Sequence, residues 1–404
     1  MRHVLIAASL LAASASVALV AQSRFLPDSP GRWKPWSFRA DGDARRVLGA
    51  RPADVKEIEA QLLRLNEIIK KTPGITNPIG FSVETGGELY LVGGRFETRP
   101  GEPALTARPL TSSLGFGPFP ITEYGSGATA KRDDGGEIAH VYFYVNDLWS
   151  PLTSSGGDNR VPEFEKVDAD VVPFAAPQPD MFGLPRYGTS LVIKKSAAPI
   201  WVAVTMSETL DLVARGIEQR LTGERDAVAR VQKSYDDLKD PKKREERLAE
   251  HRKVAAVVKD PTFMEKMTKV EDEMARRADK ELLPQLAIVK AAVTKSEEDL
   301  ASVKTRAAGL SAADKAAPAC YAIGDKVSLS RFRRAPSSGC ESLVRPNWKL
   351  FNPALPRSAP QVVTITGFNR CLSAEAQAYS VGGCKANIRL LESIDKAALL
   401  AWLQ

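Results

Sequence analysis

Two rows of apolar residues, spaced by alternating threes and fours, constrain this chain more than any other feature. The first row is Leu210, Ala214, Ile217, Leu221, Val228, Val231, Tyr235 and Leu238, interrupted only at Glu224. The second is Leu282, Leu286, Val289, Val293, Leu300, Val303, Ala307 and Leu310, interrupted only at Ser296. A stripe that recurs every 3.5 residues keeps facing a partner helix, which is the pattern of a coiled-coil seam. At about 1.5 Å per residue, each row is roughly 40 Å long. Equal lengths allow the rows to fold back on each other as an antiparallel pair. Pairing within the chain is expected over pairing with a second copy, because it leaves neither row exposed.

The punctuation inside this region fits helices. Lys239-Asp240-Pro241 recurs as Lys259-Asp260-Pro261, and each Asp can cap a helix that begins at its proline. The first helix is thus expected to end near Leu238, a second to run over 241–258 and a third to begin at Pro261. Pro284 is expected to kink or break the third helix, because it removes a backbone bond to Lys280. Met264, Met267 and Met274 fall near the expected tip, where they could form an adaptable binding patch or fill a core.

Upstream, residues 1–23 read as a secretory signal peptide: Arg2 and His3, an Ala/Leu/Val run over 4–20, then small residues at Ala21 and Ser23. Residues 24–50 carry Trp33, Trp36 and Phe38 without visible period and read as an irregular arm pinned by its aromatics. Val55, Ile58, Leu62, Leu65, Ile68 and Ile69 mark the apolar side of a helix from Pro52 or Ala53 to about Lys71, stopped by Pro73-Gly74. Strands are expected over 80–83, 88–92, 121–124, 138–145, 190–193 and 200–206. Asp134-Gly135-Gly136 would turn the third into the fourth, and 194–199 the fifth into the sixth. Segments 98–120 and 148–188 are rich in Pro, Gly and Ser and read as long loops. Thr205 or Ser207 can cap the helix that follows.

All four cysteines lie late, at Cys320, Cys340, Cys371 and Cys384. An even number in one segment of an exported chain implies two disulfides, whereas zinc sites show closer pairs. Proximity favours Cys320 with Cys340 and Cys371 with Cys384. Counting Lys and Arg against Asp and Glu, residues 24–206 carry a net −1, residues 207–316 a net +1 and residues 317–404 a net +6. The basic excess belongs to the tail, where it could meet an anionic envelope polymer or simply solvate a surface. No nucleic-acid partner is expected. In the tail, short strands are expected over 326–329 and 362–365, and a last helix over 393–403.

Motifs for chemistry are scarce. Along 138–146 the strand alternation puts Val141, Phe143 and Val145 on one face and His140, Tyr142 and Tyr144 on the other. That polar-aromatic face is the candidate ligand site, against the simpler reading that it packs under a loop. Asp133, Asp134, Glu137 and Asp147 lack the spacing of a calcium loop. Tyr124-Gly125-Ser126-Gly127 is not a nucleophile elbow, Gly115-Phe116-Gly117-Pro118 reads as an ordinary loop, and neither a P-loop nor G-x-G-x-x-G occurs. His251, among Lys and Arg on a helix, reads as a solvated surface residue. No catalytic residue, metal or cofactor is assigned.

The chain therefore reads as an α+β N-terminal domain over 51–206 with a mostly antiparallel sheet, a long helical hairpin or coiled-coil arm over 207–316, and a small basic disulfide-stabilised C-terminal module over 317–404. The expected function is a non-enzymatic periplasmic or cell-envelope scaffold or adaptor with a protein partner at its helical arm. The rivals are an enzyme or small-ligand binder using His140, Tyr142 and Tyr144, and a polymer binder using the basic module.

Overall fold

The computed structural model of the protein describes residues 24–91, 103–124, 131–134, 140–149, 161, 164, 167–168, 170–174, 177–258, 260–322, 329–373 and 381–404. The expected signal peptide, Gly135 and Gly136 of the expected turn, and 326–328 of an expected strand lie outside them. The chain divides into two compact units, one from residues up to 159, 174–202 and 345–404, the other from 160–173 and 203–344. Short strands β7 (Val172–Phe174) and β11 (Trp201–Ala203) mark two of the passages between units.

The first unit is built on a mixed sheet. Its strands are β1 (Arg24–Phe25), β2 (Ser37–Ala40), β3 (Phe81–Leu89), β4 (Ser112–Tyr124), β5 (Lys131–Asp134), β6 (Val141–Val145), β8 (Pro177–Met181), β9 (Leu184–Tyr187), β10 (Ser190–Lys194) and β15 (Val362–Thr366). The order is β2-β3-β4-β6-β15-β10-β9-β8, with β1 and β5 also on β4. Every pairing is antiparallel except β2 with β3. Helices α1 (Gly42–Leu48), α2 (Pro52–Lys70), α8 (Val381–Ser393) and α9 (Lys396–Trp402) complete the unit.

Alternation along the strands decides what is buried. Val83, Leu114, Phe116, Val141, Phe143 and Ile365 point one way and meet Ile58, Leu62, Leu65 and Ile69 of α2 and Leu390 and Leu391 of α8. Each such side chain removed from water contributes about 1.5–3 kcal/mol. The aromatics Trp33, Trp36 and Phe38 pack against this core as expected, yet the stretch around them is not irregular: β2 pairs with β3 and α1 follows it.

Three strand expectations change. The two short strands over 80–83 and 88–92 are one strand, β3, paired along its length with β4. Strand β4 also takes in 112–120, the last part of what read as a loop over 98–120. Gly115, Gly117, Pro118 and Pro120 depress its intrinsic strand tendency, but partners on both sides override that. Strand β10 is flanked by β9 and β15 and not by 200–206.

In the second unit, helices α3 (Met206–Lys239), α4 (Pro241–Ala255), α5 (Phe263–Arg277), α6 (Leu283–Gly309) and α7 (Ala312–Ala316) accompany strands β12 (Ala319–Ala322), β13 (Phe332–Arg334) and β14 (Cys340–Pro346). Helix α3 begins at a capping box: Glu208 N–H donates to Thr205 Oγ1 at 3.2 Å and Thr205 N–H to Glu208 Oε2 at 2.9 Å. Asp240 caps α4, accepting from Lys242 N–H at 2.8 Å. Pro284 falls in the first turn of α6, and Ala278–Leu282 before it form a π-helical turn in which Leu283 N–H donates to Ala278 O. The widened turn stands where the proline leaves the helix ladder short of one donor.

Both disulfides pair as expected, Cys320–Cys340 and Cys371–Cys384. They lie in different units, however. Cys320 and Cys340 stand on adjacent strands β12 and β14, while Cys384 of α8 meets Cys371 in the first unit. The stretch 317–404 is thus shared between units and is not one module. The physical reason is β15: all five of its residues are buried, and it fills the slot between β6 and β10.

Candidate functional site

Strand β6 sends Val141, Phe143 and Val145 into the helix-covered core and leaves His140, Tyr142 and Tyr144 half-buried on the opposite face. The structure brings these three together as one continuous ladder. Tyr142 and Tyr144 stack at 5.9 Å with 17° between planes. His140 meets Tyr142 edge-on at 5.7 Å, with Nδ1 3.2 Å from the Tyr142 hydroxyl. Phe119 extends the row beyond His140, and Tyr90 extends it beyond Tyr144. Lys34 Nζ lies 3.8 Å from the Phe119 ring centroid.

The backbone makes room for this row. A Cβ on Gly117 would fall 2.3 Å from His140 Nε2, so the imidazole occupies the space of an absent side chain. Gly367, with φ of +87°, holds its backbone against the His140 carbonyl, where a Cβ would fall 2.1 Å from the oxygen. Asp147, 1% exposed, ends the row: its Oδ2 accepts from the Tyr90 hydroxyl and its Oδ1 from Trp149 N–H at 2.7 Å. Burial pushes the Tyr144 hydroxyl up to about 12, with the Asp147 charge adding to the effect.

This geometry constrains the chemistry. The hydroxyl of Tyr142 is turned to His140, that of Tyr144 hydrogen-bonds with Thr366, and that of Tyr90 is turned to Asp147. The stacked rings of β6 stand side by side, so their broad faces meet each other. Among the described residues no group of His, Cys, Asp and Glu could hold a metal ion. The side chains of Asp133 and Asp134, and Glu137 with Ser126, lie outside what is described.

The apolar rows of the second unit also meet. Helices α3 and α6 run antiparallel: Lys304 reaches Glu218 at 3.0 Å, Arg225 reaches Glu297 at 2.7 Å, and Lys290 approaches Gln232 at 3.4 Å. Leu210, Ile217, Leu221 and Val303 are buried in one cluster, with Ala214, Val293, Leu300, Ala307 and Leu310 packed against it. The two interruptions of the rows fall together. Arg220 donates from Nε to Ser296 Oγ at 3.1 Å and stands 3.8 Å from Glu224. The sequence carried a signal for this: the two row numbers at facing positions add to nearly the same value throughout, and Glu224 and Ser296 fit that rule.

Between the rows, Glu271 of α5 is buried to 1% side-chain exposure against α4. It lies 2.8 Å from Arg247 Nε and 3.6 Å from His251 Nε2. His251 is therefore a neighbour of a buried carboxylate and not a purely solvated residue. Apolar side chains also point outward here: Val257 is 82% exposed, and Val254, Val258 and Val270 are exposed with it, while Met264, Met267 and Met274 are half-buried. Among the described residues, no helix is long and apolar enough to cross a membrane. No protein family model, no curated protein and no solved structure matches this chain.

Proposed function

We propose that the protein is exported and works in the cell envelope as an adaptor without catalysis of its own, its paired helices forming a coiled-coil arm and the segment between them meeting a protein partner. The observation that carries this reading is the match between the two rows. Their apolar positions over 210–221 and 293–310 pack together, and their one polar interruption each converges on Arg220. A polar residue at a seam position fixes register at a cost in stability, which suits an arm that must present its end in one place. The exposed Val254, Val257, Val258 and Val270 supply apolar surface where a partner would dock. Two disulfides favour an oxidising compartment.

A photo-reactive residue at Val257 in intact cells tests the proposal. One reproducible partner should be captured, and capture should fail when Val254 and Val258 are replaced by Ser in a chain whose circular dichroism is unchanged. Loss of no partner on replacing 241–277 by a short loop would end the adaptor reading. The mature chain isolated from cells should begin near residue 24, and an intact Met1 would remove export.

The aromatic row on β6 supports the second reading, a small-ligand site, because five ring side chains, Phe119, His140, Tyr142, Tyr144 and Tyr90, follow one another along one face. The Tyr142 hydroxyl is turned to His140 and that of Tyr144 to Thr366, which counts against it. The third reading, a polymer-binding tail, is weakened because 317–404 is shared between two units.

A further inference from the structure

We infer that a recess in the first unit, formed by residues 103–109 and 348–361, is a binding site for a small organic anion with a flat apolar body. The inference is independent of the adaptor reading. The recess has a volume of about 410 Å³, within the size range of small-ligand sites. Ala107, Trp348, Phe351 and Leu355 are among the residues that line it. The Trp348 and Phe351 rings lie 6.0 Å apart and tilted by 32°, and the Arg108 guanidinium sits 4.2 Å over the Trp348 ring. This is a flat apolar wall backed by a cation.

The charged side chains that line the recess, among the described residues, are of one sign. Lys349 and Arg357 line it, and no Asp or Glu does among the described residues. Arg357 is half-buried, and its hydrogen bonds all go to carbonyls: Nε donates to Arg108 O at 2.7 Å, and Nη2 to Leu48 O at 2.8 Å and Leu105 O at 3.2 Å. Among the described residues its Nη1 makes no hydrogen bond. Asp54 is near enough to act on Arg357 electrostatically, but its carboxylate is held by Arg51, 3.0 Å from Nη2. A partly buried guanidinium without a carboxylate of its own is costly unless a counter-charge arrives. An anion supplies that charge, and the ring pair beside it selects one with a planar apolar body. A carboxylate on a fused or single aromatic ring meets both demands, with Lys349 at the exposed side of the recess.

Calorimetry on the full chain with 2-naphthoate, its neutral amide and inorganic phosphate tests the assignment. Naphthoate should bind saturably with Kd below about 1 mM. The amide should bind at least about tenfold more weakly, the loss expected when a charge-assisted contact goes. Lys349→Glu should weaken naphthoate by at least about tenfold, and Ala107→Trp, at an exposed position, should abolish binding without moving the melting curve. No saturable binding of naphthoate would overturn the site. So would binding that survives both substitutions unchanged, which would put the ligand elsewhere. Phosphate binding as tight as naphthoate would overturn the ligand class.

Discussion

Glu271 and Arg247 make the sharpest energetic test, because they are a charge pair of unequal burial. The Glu271 carboxylate is 1% exposed, whereas Arg247 is 30% exposed and also donates from Nη1 to Asp237 O at 3.1 Å. Removing the arginine, as Arg247→Met, leaves a fully buried carboxylate facing His251 at 3.6 Å. The cost of breaking a buried pair in this way is about 3–5 kcal/mol. Removing the acid's charge, as Glu271→Gln, is gentler. The amide oxygen still accepts from Arg247 Nε, and the guanidinium can hydrate, so the cost is about 1–2 kcal/mol. The double variant Arg247→Met with Glu271→Leu removes both charges and should recover most of the loss, since apolar replacement of a buried pair is often neutral. Urea unfolding followed by helical circular dichroism, with hydrogen exchange read over 241–277, measures all three. Equal losses for Arg247→Met and Glu271→Gln, or a double variant as unstable as Arg247→Met, would refute the claim that burial sets the asymmetry.

Further outcomes can be checked in the same preparations. Asn66 of α2 is fully buried, and among the described residues both polar atoms of its amide are unpartnered, so Asn66→Leu should stabilise the first unit by about 1–2 kcal/mol in thermal denaturation; a lower melting temperature would show that a partner is present. The raised Tyr144 hydroxyl stays neutral in the folded chain while the unfolded chain ionises near 10, so stability should be full below pH 10 and fall as pH rises toward 12. Ultraviolet titration should show a tyrosine ionising near 12, and Tyr144→Phe should abolish both that step and its share of the fall. Replacing Cys371 and Cys384 by Ala, across a separation of 13 residues, should cost about 3 kcal/mol and loosen α8 in hydrogen exchange; an unchanged exchange pattern would contradict it.

The helical unit was legible because its information is local. Spacing marked the two rows, Asp240 before Pro241 marked the start of α4, and Thr205 offered the cap of α3, all within a few residues of one another; α5 instead begins at Phe263, with Thr262 and not Asp260 at its cap position. Even the facing of Glu224 and Ser296 could be computed from residue numbers once antiparallel pairing was assumed. The buried carboxylate of Glu271 could not, because its partner comes from another helix and nothing near it in the chain marks it.

The sheet was legible only in part. Alternation over 138–146 correctly separated Val141, Phe143 and Val145 from His140, Tyr142 and Tyr144, since side chains on a strand alternate whatever the partner. It could not say that the Tyr142 hydroxyl would turn to His140 and that of Tyr144 to Thr366. The recess at Trp348 and Arg357 left no trace in the sequence, because its walls lie more than two hundred residues apart.

What the chain determined by itself is therefore its periodic and capped elements and the pairing of its nearby cysteines, features set by steric period and short loop closure. What only the tertiary structure decided is where distant segments go: β4 as a strand despite its glycines and prolines, and β15 carried back from the tail to lie between β6 and β10. Those placements depend on which hydrogen-bonding edge and which apolar face are left open once the rest has folded. No stretch of residues carries that information alone.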